Sequence, residues 1–115
     1  MKALIATIAG AGLISAAPAA VAAGPSKTVK LGDNYFAPHT LTVKRGTKIT
    51  WRWPGYDQAG DVHDLSLMAG PKGVKKFRSE AASTDYSDTR KLSVPGKDRF
   101  GCSLHEGMRM TVRVR

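Results

Sequence analysis

Cys102, His105 and Met108 stand close together in Phe100-Gly101-Cys102-Ser103-Leu104-His105-Glu106-Gly107-Met108, a thiolate, an imidazole and a thioether at C-x2-H-x2-M spacing. A tight loop between two strands can turn all three side chains toward one point. Soft sulfur and borderline nitrogen suit copper, and a trigonal set of two His and one Cys with a weak axial Met is the blue-copper arrangement. The second imidazole must come from elsewhere in the chain. His63 is the candidate, in Asp61-Val62-His63-Asp64-Leu65, where a loop enters a strand. His39, which follows Pro38 in a turn-like stretch, reads as a surface histidine. Met110 competes with Met108 for the axial place, but its register with Val112 and Val114 assigns it to the inward face of the last strand. On that register alone, Met110→Leu is a near volume-conserving core swap costing under about 1.5 kcal/mol.

The single cysteine sharpens this reading. Residues 1–23 hold one charge, Lys2, an alanine-rich apolar run and a small-residue end at Val21-Ala22-Ala23, the pattern of a secretory signal peptide. Export brings a protein to an oxidising compartment, periplasmic or extracellular, where cysteines come in pairs. Cys102 has no second cysteine in the chain to pair with, so it is an intermolecular cross-link, a buried inert thiol or a reactive group held by something else, for which a metal is the obvious holder. Cleavage leaves a domain of residues 24–115 with 17 Lys and Arg against 9 Asp and Glu, a formal charge of +8, and no transmembrane segment. A domain this short excludes a barrel enzyme, a two-domain enzyme and a repeat array.

The elements that position these residues are strands. Val29 and Leu31, Leu41 and Val43, Ile49, Trp51 and Trp53, Leu65 and Leu67, Leu92 and Val94, and Met110, Val112 and Val114 all alternate with polar neighbours. A period of two puts one side chain in and the next out, the signature of half-buried β-strand. Pro38, Pro54-Gly55, Gly70-Pro71 and Pro95-Gly96 punctuate the runs. The pattern predicts an all-β, Greek-key β-sandwich of about eight strands. Residues 69–89 are the least patterned and read as a long loop, with room for one helical turn.

The mature chain resembles the cupredoxins, the plastocyanin/azurin family of small exported blue-copper proteins. Asn34-Tyr35-Phe36-Ala37-Pro38 with Leu41-Thr42-Val43 is similar to the family's F-x-P-x-x-L-x-V segment, and Gly46-Thr47-Lys48-Ile49-Thr50-Trp51 to its G-x-x-V-x-W strand. His63 occupies the place of the upstream ligand, and Cys102, His105 and Met108 match a short, amicyanin-like ligand loop. The resemblance implies an eight-stranded sandwich with one copper ion at one end and a His105 ring edge that reaches the surface to pass an electron. Two residues depart from the pattern. Asp64 follows the upstream His where Asn or Ser is frequent and ties the two ligand loops together; an inward Asp64 adds negative charge near copper, an outward one meets solvent. Leu104 stands where many members have Pro, which leaves the loop less stiff.

The expected function is a monomeric one-electron carrier, cycling Cu(II)/Cu(I) and needing no substrate pocket, hence not an enzyme. Copper buffering or delivery uses the same four ligands and is the alternative. A basic secreted module binding anionic polymers is a third reading, which the intact Cys102/His105/Met108 set opposes. Partners are redox proteins, with an acidic docking surface favoured by the positive charge, and not nucleic acid. Lys72, Lys75, Lys76 and Arg78 form a basic run that reads as a solvated face first and a docking site second.

Overall fold

The alternating segments pair into two four-stranded sheets, seen in a computed structural model that describes residues 24–115. The expected leader and its cleavage point lie outside the described residues. Strand β1 is Ser26–Gly32, β2 Tyr35–Ala37, β3 Thr40–Val43 and β4 Thr47–Arg52. Strand β5 is Ser66–Ala69, β6 Ser87–Leu92, β7 Gly96–Gly101 and β8 Arg109–Val114. One sheet runs β2-β1-β4-β6 and the other β3-β8-β7-β5. The chain passes from sheet to sheet at β3, β4, β5, β6 and β7, which makes the Greek-key sandwich. Two pairings are parallel, β1 with β4 and β3 with β8; the other four are antiparallel.

Period-two alternation becomes burial directly. Val29, Ile49, Trp51, Leu65, Phe100 and Val112 are fully buried, and Trp53, Leu67, Met110 and Val114 nearly so. Trp51 reaches across the sandwich to Phe100, ring centroids 4.7 Å apart and tilted by 49°, a favourable aromatic geometry. Both tryptophans are therefore core residues. At the end of the sandwich away from Cys102, Gly46 donates to the Leu92 carbonyl at 2.7 Å with φ of +89°, a left-handed conformation that glycine adopts without strain.

Two expectations need correction, and one strand shows no pattern in the sequence. The strand anticipated around Leu92 and Val94 is Ser87–Leu92, half-exposed, and Val94 belongs to the turn after it. Strand β7 carries Lys97, Asp98 and Arg99 and shows no apolar alternation before Phe100, so its period was hidden by an inward Asp98. The helical turn lies at Tyr56–Gln58, between β4 and β5; residues 69–89 instead lend bridges to the sheet edge, Ala82 opposite His63 and Arg78 opposite Ser66.

Asp98 is buried at 2 % exposure, and its Oδ1 has no hydrogen-bond partner among the described residues. Burial raises its carboxyl above the ordinary value of 3.8. A folded-state value above the unfolded one costs stability at neutral pH, and the cost vanishes as pH falls below the unfolded value. Asp98→Asn is therefore expected to stabilise the fold by about 1 kcal/mol at pH 7 and by nothing near pH 3, read by thermal melts at the two pH values.

Candidate metal centre

Three connections meet at one end of the sandwich: the β1–β2 turn, the β4–β5 loop and the β7–β8 loop. His63 enters from the second of these and is fixed by its backbone. Its N–H donates to the Ala82 carbonyl at 2.9 Å, and its own carbonyl accepts from Ala82 at 3.0 Å and from the Trp53 indole at 3.0 Å. Trp53 is held in turn by an edge-to-face contact with Tyr86.

Cys102 and Met108 close the β7–β8 loop on itself. The Cys102 N–H donates to the Met108 carbonyl at 3.1 Å, and the Met108 N–H to the His105 carbonyl at 3.2 Å. Gly107 makes the turn possible with φ of +91°. Seven residues thus return the chain to β8 while aiming Cys102 and His105 at His63.

The three donors converge. His63 Nδ1 and His105 Nδ1 are 3.2 Å apart, with Cys102 Sγ at 3.9 Å from the first and 3.5 Å from the second. Donors bound to one ion in a plane, at about 2.0 Å for imidazole and 2.3 Å for thiolate, stand roughly 3.5–3.7 Å apart. The set therefore fits a single metal ion with little movement. His63 and Cys102 are buried, whereas the His105 side chain keeps 26 % of its surface exposed.

Asp64 points inward. It is buried; its Oδ1 accepts from Ser103 N–H at 2.8 Å and from Ser66 Oγ at 3.3 Å, and its Oδ2 accepts a short bond from Ser103 Oγ. Its backbone N–H points at Cys102 Sγ at 3.4 Å. One side chain so ties the two loops, and it brings a carboxylate next to the thiolate.

Two residues enter the site that sequence reasoning missed. Asp33 Oδ1 stands 3.1 Å from His63 Nε2 and accepts from the Asp61 N–H at 2.9 Å. The Asp61 bond first, and His63 second, hold the Asp33 carboxyl below the ordinary carboxylate value. Asp61 itself lies 3.8 Å from His105 Nε2. No local pattern announces these contacts, which join residues from separate loops.

The methionines separate by what their sulfurs do. Met68 Sδ takes a hydrogen bond from Arg109 at 3.2 Å, and Met110 Sδ one from the Trp51 indole at 3.2 Å. Met108 is 1 % exposed and its sulfur has no such bond among the described residues. His39 is exposed and stands outside the cluster of donors, its carbonyl accepting from Thr111 in the β3–β8 pairing.

A Greek-key β-sandwich with a thiolate and two imidazoles gathered at one end is the architecture of a small copper protein. The family described as copper-binding proteins of the plastocyanin/azurin family matches residues 23–115. The chain belongs to that family, and its cofactor is one copper ion. No curated protein sequence matches the chain. Among solved structures, a reduced amicyanin variant superposes with a TM-score of 0.66 at 23 % identity, over 84 % of this chain and 88 % of that one. A Cu(I) form of a second amicyanin variant gives 0.67 at 22 % identity, over 84 % and 89 %. A copper-containing nitrite reductase from Thermus scotoductus gives 0.66 at 21 % identity, over 89 % of this chain but 25 % of that one. At these identities the likeness is one of fold.

Proposed function

We propose that this protein is an exported one-electron carrier and not an enzyme, and that His63, Cys102, His105 and Met108 would hold its copper, with Met108 as the weakest donor. The observation that carries the reading is the convergence of His63 Nδ1, Cys102 Sγ and His105 Nδ1 beneath a partly exposed His105 ring. When bound, copper supplies the Cu(II)/Cu(I) couple. The chain supplies rigidity. His63 is pinned by Ala82 and Trp53, and Cys102 by the loop closure and the Asp64 N–H, so little has to reorganise when the charge changes. The His105 edge offers the route out, and Val62 and Leu104, the residues before the two ligand histidines, are exposed apolar side chains.

Charge is unevenly placed. The loops at the metal end carry Asp33, Asp57, Asp61, Asp64 and Glu106 and no Lys or Arg. Lys76 and Arg78 adjoin them, lining a hollow with Ser66 and Ser103. An acidic redox partner docks against this basic side, and its reaction rate falls with salt because exposed charges are screened over about 10 Å at 0.1 M.

The test is stopped-flow mixing of the copper-loaded protein with reductants and oxidants. Rapid exchange in both directions with copper retained supports the carrier. Surrender of copper to an acceptor with slow electron exchange favours delivery of the metal instead. Intact mass of the exported protein checks the leader, with a start near Gly24 expected.

The axial assignment has its own pair of substitutions. Met108→Gln is expected to keep copper, shift the visible spectrum and lower the potential, because an oxygen donor replaces a weak thioether. Met110→Leu is expected to leave the spectrum alone. The Trp51 contact raises its cost above a simple core swap, since a buried indole N–H loses its acceptor at about 1–3 kcal/mol. The opposite spectral pattern moves the axial role to Met110.

A further inference from the structure

We propose that Asp33 is a positioning residue for the copper site: its carboxylate accepts the His63 Nε2–H, leaves the Nδ1 lone pair free for the metal and biases the site toward Cu(II). The inference rests on His63 being a ligand. A neutral imidazole carries one proton, so a donor at one nitrogen makes an acceptor of the other. Nδ1 is the nitrogen that faces Cys102 Sγ and His105 Nδ1. Nε2 faces Asp33 Oδ1 at 3.1 Å. A carboxylate behind a ligating histidine fixes its tautomer and ring angle and raises its basicity.

Asp33 is placed for this by the fold. Asp33 and Asn34 form the two-residue turn between β1 and β2, with Gly32 paired opposite Tyr35 and Asn34 at φ of +67°. Asparagine tolerates that left-handed conformation. The Asp61 N–H then clamps the carboxylate from the β4–β5 loop. A 54 %-exposed residue thereby holds one side of a 1 %-exposed imidazole. A fixed negative charge on that side stabilises the more positive oxidation state of the metal.

A loop-capping role through Asp61 alone is the competing account, and three variants separate the two. Asp33→Asn keeps an acceptor but loses the charge. Asp33→Ala loses both. Asp61→Asn removes a neighbouring carboxylate without touching His63. In the copper-loaded protein Asp33→Asn is expected to keep the blue band while losing about tenfold in the preference for Cu(II) over Cu(I), read as a potential 59 mV more positive. Asp33→Ala is expected to weaken Cu(II) binding by about 10–100-fold, and Asp61→Asn to shift the potential by less than Asp33→Asn. In the copper-free protein, imidazole nitrogen shifts by NMR are expected to show the His63 proton on Nε2, and mixed tautomers in Asp33→Ala. A blue parent whose potential ignores Asp33→Asn, or moves equally with Asp61→Asn, overturns the inference alone. A parent that binds Cu(II) without the blue band overturns the ligand set and the inference with it.

Discussion

Cys102→Ser is expected to fold, bind copper weakly and show no blue colour. The thiolate-to-copper transition has no other source among the described residues, where Cys102 is the free thiol and is buried within 4 Å of both imidazole nitrogens. Serine is nearly isosteric, and its neutral hydroxyl is a poor donor at neutral pH. The cost to the copper-free fold is small, about 1 kcal/mol or a few degrees in Tm. Visible absorption and a melt of the copper-free variant check both halves. A retained blue band assigns the sulfur elsewhere and removes the centre described above.

Asp64→Ala carries the largest expected cost to stability. It leaves the Ser103 N–H, the Ser103 hydroxyl and the Ser66 hydroxyl without their shared acceptor. Hydrogen bonds to a charged group contribute about 1.5–3 kcal/mol each; the buried Ser66 hydroxyl is left unsatisfied, while the exposed Ser103 donors turn to water. A loss of about 3 kcal/mol is expected, which lowers Tm by more than about 10 °C in a domain of this size. Copper-induced stabilisation falls too, because two loops that are no longer tied present the ligands in many arrangements. Asp64→Asn keeps the Oδ1 acceptor and is expected to recover most of the stability while raising the potential, since one negative charge beside the thiolate is gone. Melts with and without copper, and a potential measurement on the Asn variant, decide it. Equal stability of the Ala variant and the parent removes the tie.

The sandwich was legible because burial follows alternation, and Val29/Leu31, Ile49/Trp51 and Met110/Val112/Val114 alternate cleanly. Strand β7 was not, because Asp98 stands at an inward position where an apolar residue was sought. Local spacing also disclosed the Cys102–Met108 loop, since its residues are neighbours in the chain. His63 followed from the need for a second imidazole. Asp33 did not, because hairpin turns are rich in Asp and Asn for reasons of backbone conformation, and nothing local distinguishes one that also meets a histidine. The direction of Asp64 was equally hidden: a buried carboxylate and a solvated one look alike until the serines that receive it are in place.

Strand β8 lies between β3 and β7, with Thr40 set opposite Thr111 and Val43 opposite Val114. The sheet that holds β7 in line is therefore sealed by nearly the last residues of the described chain, and closing it joins segments very far apart in sequence, a slow kind of contact to form. His63 and Cys102 are set side by side by the β5–β7 pairing, with Ser66 opposite Gly101, but the loop that carries Cys102 and His105 is closed by the Met108 carbonyl at the entrance to β8. A chain lacking Met108 and β8 therefore keeps the histidine and the thiol but loses the hydrogen bond that folds the Cys102–Met108 loop back on itself.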